Sequence, residues 1–98
     1  MHQHFEYQFE WDPIKARSNH KKHGVPFERA AAVFNDPQAL SIFDESHSTF
    51  EERWITLGLD STGMLIVVCH TFEDEHEYKV RVRIISARRA TKKEIQRY

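Results

Sequence analysis

Cations lead the list of side chains in this sequence that could do chemistry. Lys79, Arg81 and Arg83 recur at every second position, with Arg88 and Arg89 close behind. Guanidinium groups carry forked donors that match phosphate oxygens. Like charges in a row on a strand repel one another, so a sheet that keeps them needs an anion nearby. Arg53 stands directly after Glu51 and Glu52, and His70 shares a parity with Met64, Ile66 and Val68. An imidazole, a carboxylate and several arginines meeting at one end of a sheet would hold the parts of metal-free RNA cleavage. A base takes the ribose 2′-OH proton, an acid protonates the leaving 5′-oxygen, and cations stabilise the phosphorane-like transition state. Each residue taken singly has a plainer reading. A strand histidine is commonly a hydrogen-bonded structural group, Glu-Glu-Arg is common on surfaces, and Arg53 serves equally well in an internal ion pair.

Other chemistries find less support. His2 and His4, or His20 and His23, form pairs, but no third ligand follows at a recognised spacing and HExxH is absent. Glycine-rich phosphate loops, Gly-x-Ser-x-Gly and zinc-finger patterns are also missing. Cys69 is the single cysteine, which excludes an intrachain disulfide and a multi-thiolate zinc site, and its apolar run makes it buried filler. No metal and no cofactor is expected.

The elements that must position these groups follow from pattern. Val80, Val82 and Ile84 alternate with the cations, so the last strand turns an apolar row to the core and a basic row away from it. Thr91 and Glu94 form a capping box for a terminal helix whose Lys92, Lys93 and Arg97 read as a solvated face. At the other end, Phe5 to Trp11 alternates aromatics as a first strand. Asp12-Pro13 then starts a helix that Gly24 ends. Between Pro13 and His23 only Ile14 and Ala16 are apolar. Lys15, Asn19, Lys22 and His23 make one polar stripe, either a solvent-facing wrapper or one wall of a site. Phe27, Ala30, Ala31 and Phe34 give a second helix an apolar stripe, closed by Asp36-Pro37. Strands are expected at Ala39 to Phe43, Arg53 to Leu59 and Met64 to Phe72. A polar loop containing His47 joins the first two, and Glu73 to Glu77 reads as an acidic loop. The order β-α-α-β-β-β-β-α makes an α+β domain with helices packed on a small, mainly antiparallel sheet.

With 98 residues there is room for one domain, spanning 1–98. No apolar run approaches a membrane span, and the first residues lack the features of a secretory signal, so a cytoplasmic protein is expected. The net charge of −1 conceals an asymmetry. Residues 79–98 hold eight Lys and Arg against one acid, and residues 1–78 hold six against fourteen. A polyanion or an acidic partner at the basic end is implied, while the balanced total argues against indiscriminate nucleic-acid binding.

Taken together, FEWDPIKARSNHKKHGVPFERAAAVFNDP, the later EERW, and RVRIISARRATKKE resemble the BrnT family of type II toxins, from Phe9 to Tyr98. The resemblance implies a RelE-like ribonuclease fold and an endoribonuclease that cleaves RNA and inhibits translation. It also implies a co-encoded ribbon-helix-helix antitoxin whose complex with the toxin binds operator DNA. Positions matching the family's motif nominate His23, Glu52, Arg53, Arg83 and Arg88 for catalysis, and strand parity adds His70. Lys15, Asn19, Lys22, Arg81 and Arg89 are candidates for contacting RNA. Where the family has a Thr-Glu-Arg-like stretch and a short turn, this chain has Thr71-Phe72-Glu73 and the longer acidic loop, read as a solvated turn or a shield for the basic strand. Outside the resemblance, the basic strand also fits a non-catalytic module that docks an acidic partner or nucleic acid.

Overall fold

The computed structural model describes residues 6–98, so Phe5, His2 and His4 lie outside the described residues. The elements run β1 (Glu6–Glu10), α1 (Pro13–His23), α2 (Phe27–Ala32), β2 (Leu40–Phe43), β3 (Trp54–Leu59), β4 (Leu65–His70), β5 (Glu73–His76), β6 (Lys79–Arg89) and α3 (Lys92–Arg97). Short 3-10 turns, Val33–Asn35 and Glu45–His47, follow α2 and β2.

The helix ends follow the side chains at them. The Asp12 carboxylate accepts from the Ile14 N–H at 2.8 Å, Pro13 fills the first helical position, and Gly24 leaves α1 at φ 72°. At α3 both halves of the Thr91/Glu94 capping box are formed. The acidic stretch is not a loop. It forms β5, an additional strand hydrogen-bonded antiparallel to β6, because the turn Glu77-Tyr78 folds it back onto the basic strand.

β6 organises the sheet. Its first half lies between β1, which runs parallel to it, and β5; its second half pairs antiparallel with β4, and β3 and β2 extend the sheet beyond. Helices α1 and α2 cover one face. There Val80, Val82, Ile84 and Ala87 of β6 join Ile66, Val68, Val25, Phe27, Ala30 and Val33 in the core, with Tyr7, Phe9 and Trp11 of β1 packed alongside. The other face has no apolar helix packed on it; α3 reaches it only with Glu94 and Arg97, which border Leu40, Ile42, Ile55, Leu57 and Val67.

α1 keeps its place without an apolar stripe. The side chain of Asn19, 8% exposed, donates to the carbonyls of Ala87 (2.9 Å) and Val25 (3.1 Å) and accepts from the Ala87 N–H (3.1 Å). A carboxamide thus takes the place of a neighbouring strand beside β6, beyond the end of β1. No helix among the described residues is long and apolar enough to cross a membrane.

Candidate active site on the open sheet face

Alternation places the side chains of the uncovered face. On β2 and its continuation these are Leu40, Ile42 and Asp44; on β3 and the residue before it, Arg53, Ile55 and Leu57; on β4, Val67 and Cys69. Their cross-strand pairing is Leu40 with Leu57, Ile42 with Ile55, Ile55 with Cys69, and Cys69 with Ser86. One end of this face is apolar. The other gathers Asp44, Arg53, Arg83 and, across β6, Ser86 and Arg88.

At the polar end, Glu51 receives hydrogen bonds from the guanidinium groups of both Arg83 and Arg53, the latter at 3.4 Å. Arg83 holds the Glu51 carboxyl below the usual carboxylate range against its partial burial, and Arg53 adds to the effect. Arg88 is gripped through two parallel bonds by Glu94 of α3, at 2.8 and 2.9 Å. That contact pulls the Glu94 carboxyl down to about 2. Both arginines are fixed in direction by acids of their own chain, with part of each guanidinium still facing solvent. Among the described residues, Arg53 Nε is the single buried side-chain polar atom without a hydrogen-bond partner. A cleft of about 310 Å³ is lined by Asp44, His47, Arg53, Ile55, Val67, Cys69, Ile85, Ser86 and Arg88. Cys69 is therefore a half-buried wall of this cleft and not filler of the interior. Burial, followed by the charge of Asp44, raises its thiol pKa.

Beside it a second cleft, about 240 Å³, is lined by Lys15, Ser18, Asn19, Lys22, His23, Ile85 and Ser86. Ile85 and Ser86 belong to both. α1 therefore walls a groove that continues into the sheet-face cleft.

Several sequence expectations require correction. His70 was expected beside the arginines, but parity with Ile66 and Val68 turns it to the helix-covered face, where it is fully buried. Its Nε2 pairs with the Thr56 hydroxyl at 2.6 Å, its Nδ1 with the Thr71 carbonyl at 3.1 Å, and the rings of Phe34 and Phe72 meet it edge-on. Burial lowers its pKa to about 4, so it is a neutral structural residue. Asn19 was expected to touch RNA, yet its amide is consumed by the Ala87 and Val25 backbone. Arg81 was expected to be free for RNA; Glu75, Glu73 and Glu10 surround it, because β5 supplies the anions that its row of cations needs. Glu52 is exposed, and the acid placed between the arginines is its neighbour Glu51. Arg89 is exposed at the end of β6, and His23 lies half-buried in the α1 groove.

Sequence reasoning left Asp44 and His47 unassigned in a polar loop. The signal was present: Asp44 continues the Leu40, Ile42 parity, and His47 stands three residues on, within one short turn of it. Among the described residues no three His, Cys, Asp or Glu side chains cluster as a metal site would require.

Comparison with known proteins agrees with this architecture. The crystal structure of the Brucella abortus ribonuclease toxin BrnT superposes with a TM-score of 0.61 at 20% identity, covering 89% of this chain and 100% of that one. A search of curated proteins gave no match. Residues 11–94 match the family model described as the ribonuclease toxin BrnT of type II toxin–antitoxin systems. The chain belongs to the BrnT family of ribonuclease toxins, and its system implies an antitoxin partner and an RNA substrate.

Proposed function

We propose that RNA is cleaved on the open sheet face without a metal, by attack of a ribose 2′-OH on its own 3′-phosphate. The observation that carries this reading is Arg53: a guanidinium at the cleft with a buried Nε–H left unpaired. An unsatisfied buried donor costs about 1–3 kcal/mol, and a phosphate oxygen is the kind of acceptor that would remove that cost. Arg88 across the cleft, aimed by Glu94, supplies the second half of a phosphate clamp. Arg83 steadies Glu51, which in turn steadies Arg53. The flanking strand of RNA continues past Ser86 into the α1 groove, where Lys15 and Lys22 take further phosphates and His23 borders the track.

In the cell such cleavage inhibits translation, and the setting is the cytoplasm. A ribbon-helix-helix antitoxin neutralises the toxin, and the complex binds operator DNA. The test is incubation of end-labelled RNA with antitoxin-free toxin in EDTA. Expected are 2′,3′-cyclic phosphate ends and a loss of about 100-fold or more in Arg53→Ala, in the range found when one electrostatic stabiliser of a transition state is removed. With Lys15, Lys22, Arg53 and Arg88 as the phosphate contacts, log K against log salt should fall with a slope of about −3. RNA that stays intact but bound would replace this reading with a non-catalytic module, and activity abolished by EDTA would overturn the metal-free mechanism.

A further inference from the structure

We propose that His47 is the general base that takes the 2′-OH proton, with Asp44 as the residue that positions it. This rests on the reading that RNA is cleaved on the open face.

The pair is built into the sheet. The Asp44 N–H continues the β2–β3 ladder by donating to the Arg53 carbonyl at 2.8 Å. The Ser48 hydroxyl ties the loop closed, donating to the Asp44 carbonyl at 2.5 Å and accepting from the Arg53 N–H at 3.0 Å. Asp44 and Arg53 are thereby held as cross-strand neighbours. From this platform the Asp44 carboxylate meets His47 Nδ1 at 3.0 and 3.1 Å, and Ser46 donates to the same carboxylate at 3.1 Å. Burial opposes ionisation of Asp44, but the hydrogen bonds from His47 and Ser46 and the charge of His47 hold its pKa below the ordinary value.

A carboxylate on Nδ1 keeps the proton of a neutral imidazole there and leaves the Nε2 lone pair free. Nε2 has no hydrogen-bond partner among the described residues, and the ring is exposed at the rim of the cleft that holds Arg53, Ser86 and Arg88. Base oriented by acid, next to a cation clamp, is the arrangement proton abstraction requires. The charged and titratable groups facing the ring are Asp44, Glu51, Arg53, Cys69 and Arg88. The other imidazoles near the sheet do not offer this: His70 is buried on the opposite face, His23 lies in the α1 groove, and His76 is exposed at the end of β5.

In the step, His47 Nε2 accepts the 2′-OH proton as the 2′-oxygen bonds to phosphorus. The bond from phosphorus to the 5′-oxygen breaks, and that oxygen leaves with a proton from water. The products are a 2′,3′-cyclic phosphate and a 5′-hydroxyl, and His47 returns its proton to solvent.

The experiment compares wild type, His47→Gln, His47→Ala, Asp44→Asn and Arg53→Ala on a labelled single-stranded RNA in EDTA between pH 5 and 8.5. Binding is measured in parallel with a 2′-O-methyl oligonucleotide, which cannot cyclise. His47→Gln should lose about 100- to 10,000-fold in kcat, the range for removal of a general base, and bind the analogue within about threefold of wild type. The acid limb of the wild-type pH profile should vanish in His47→Gln and shift in Asp44→Asn, and added imidazole should restore His47→Ala in part. Wild-type rate and pH profile in His47→Gln, with Arg53→Ala inactive, would overturn the base assignment and leave open-face cleavage standing. Loss in His47→Ala that imidazole does not restore, or loss matched by loss of analogue binding, would mark a structural role and also overturn it. Full activity of Arg53→Ala would remove the open-face reading itself.

Discussion

The buried imidazole of His70 predicts a loss of stability in mild acid that can be worked from the structure. In the folded chain its pKa is lowered by burial to about 4, against 6.5 for an exposed histidine. Between those two values the unfolded chain binds a proton that the folded chain refuses, so stability falls as pH drops through 6.5 and the loss is complete near pH 4. The full effect is about 3 kcal/mol, of which about 2 kcal/mol is lost by pH 5. Carboxylates such as Glu94, with a pKa of about 2 in the folded chain and an ordinary value of 4.5, lose their contribution as pH falls below 4.5, so a comparison made down to pH 5 reads mainly His70. Urea denaturation at pH 7.5 and 5.0 measures the difference. His70→Gln, neutral at both values, should start less stable and then show a pH dependence smaller by about 2 kcal/mol. Equal slopes in the two proteins would refute the assignment of a neutral, interior His70.

Two further outcomes test the elements that hold the site. Asn19→Ala leaves the Ala87 N–H and carbonyl without the partners they have now. Buried groups left unpaired cost about 1–3 kcal/mol each, so a loss of about 3 kcal/mol is expected in chemical denaturation, with amide exchange at Ala87 accelerated. Gly58→Ala places a Cβ 2.8 Å from Val33 Cγ1 and 3.1 Å from Ala39 Cβ. The turn after α2 must then shift, and destabilisation of about 1–3 kcal/mol should appear as a lower urea midpoint at unchanged m-value.

Much of this fold was legible because its signals are local. Asp12-Pro13, Gly24 and the Thr91/Glu94 box delimit helices through side chains within a few residues of the ends they satisfy. Alternation in β6 was read correctly as one basic and one apolar row. β5 was missed because Glu73-Asp74-Glu75-His76 has no apolar alternation; what makes it a strand is pairing to β6, with Glu75 on Arg81, a tertiary contact that local pattern does not encode. The site was legible by residue type but less so by address. A histidine, a carboxylate and arginines do gather at one end of the sheet. His47 stands there instead of His70, and Glu51 instead of Glu52, since parity sends His70 inward and only contact with Arg53 and Arg83 separates one glutamate from the next. Asn19 read as a polar helix residue, and nothing near it in sequence announces that it closes a backbone gap 68 residues away.

The position of Arg88 follows from a break in strand register. Residues 83 and 88 differ by an odd number, so on a regular strand their side chains would face opposite sides. β6 pairs Ile84 with His70 and Ser86 with Cys69, which leaves Ile85 as an extra residue in a bulge. Before the bulge the core row is Val80, Val82 and Ile84; after it, Ala87. The shift turns Ser86 and Arg88 to the face that already carries Arg83, and it keeps a guanidinium out of an interior where an unpaired charge would cost several kcal/mol. Unshifted pairing would bury Arg88 and expose Ala87, taking Arg88 away from the cleft it shares with Arg53 and losing the Asn19 anchorage. The bulge is also where the sheet-face cleft and the α1 groove meet, at Ile85 and Ser86. A single extra residue therefore sets which cations share a face, joins the two clefts, and places Ala87 where α1 can be hydrogen-bonded to the strand.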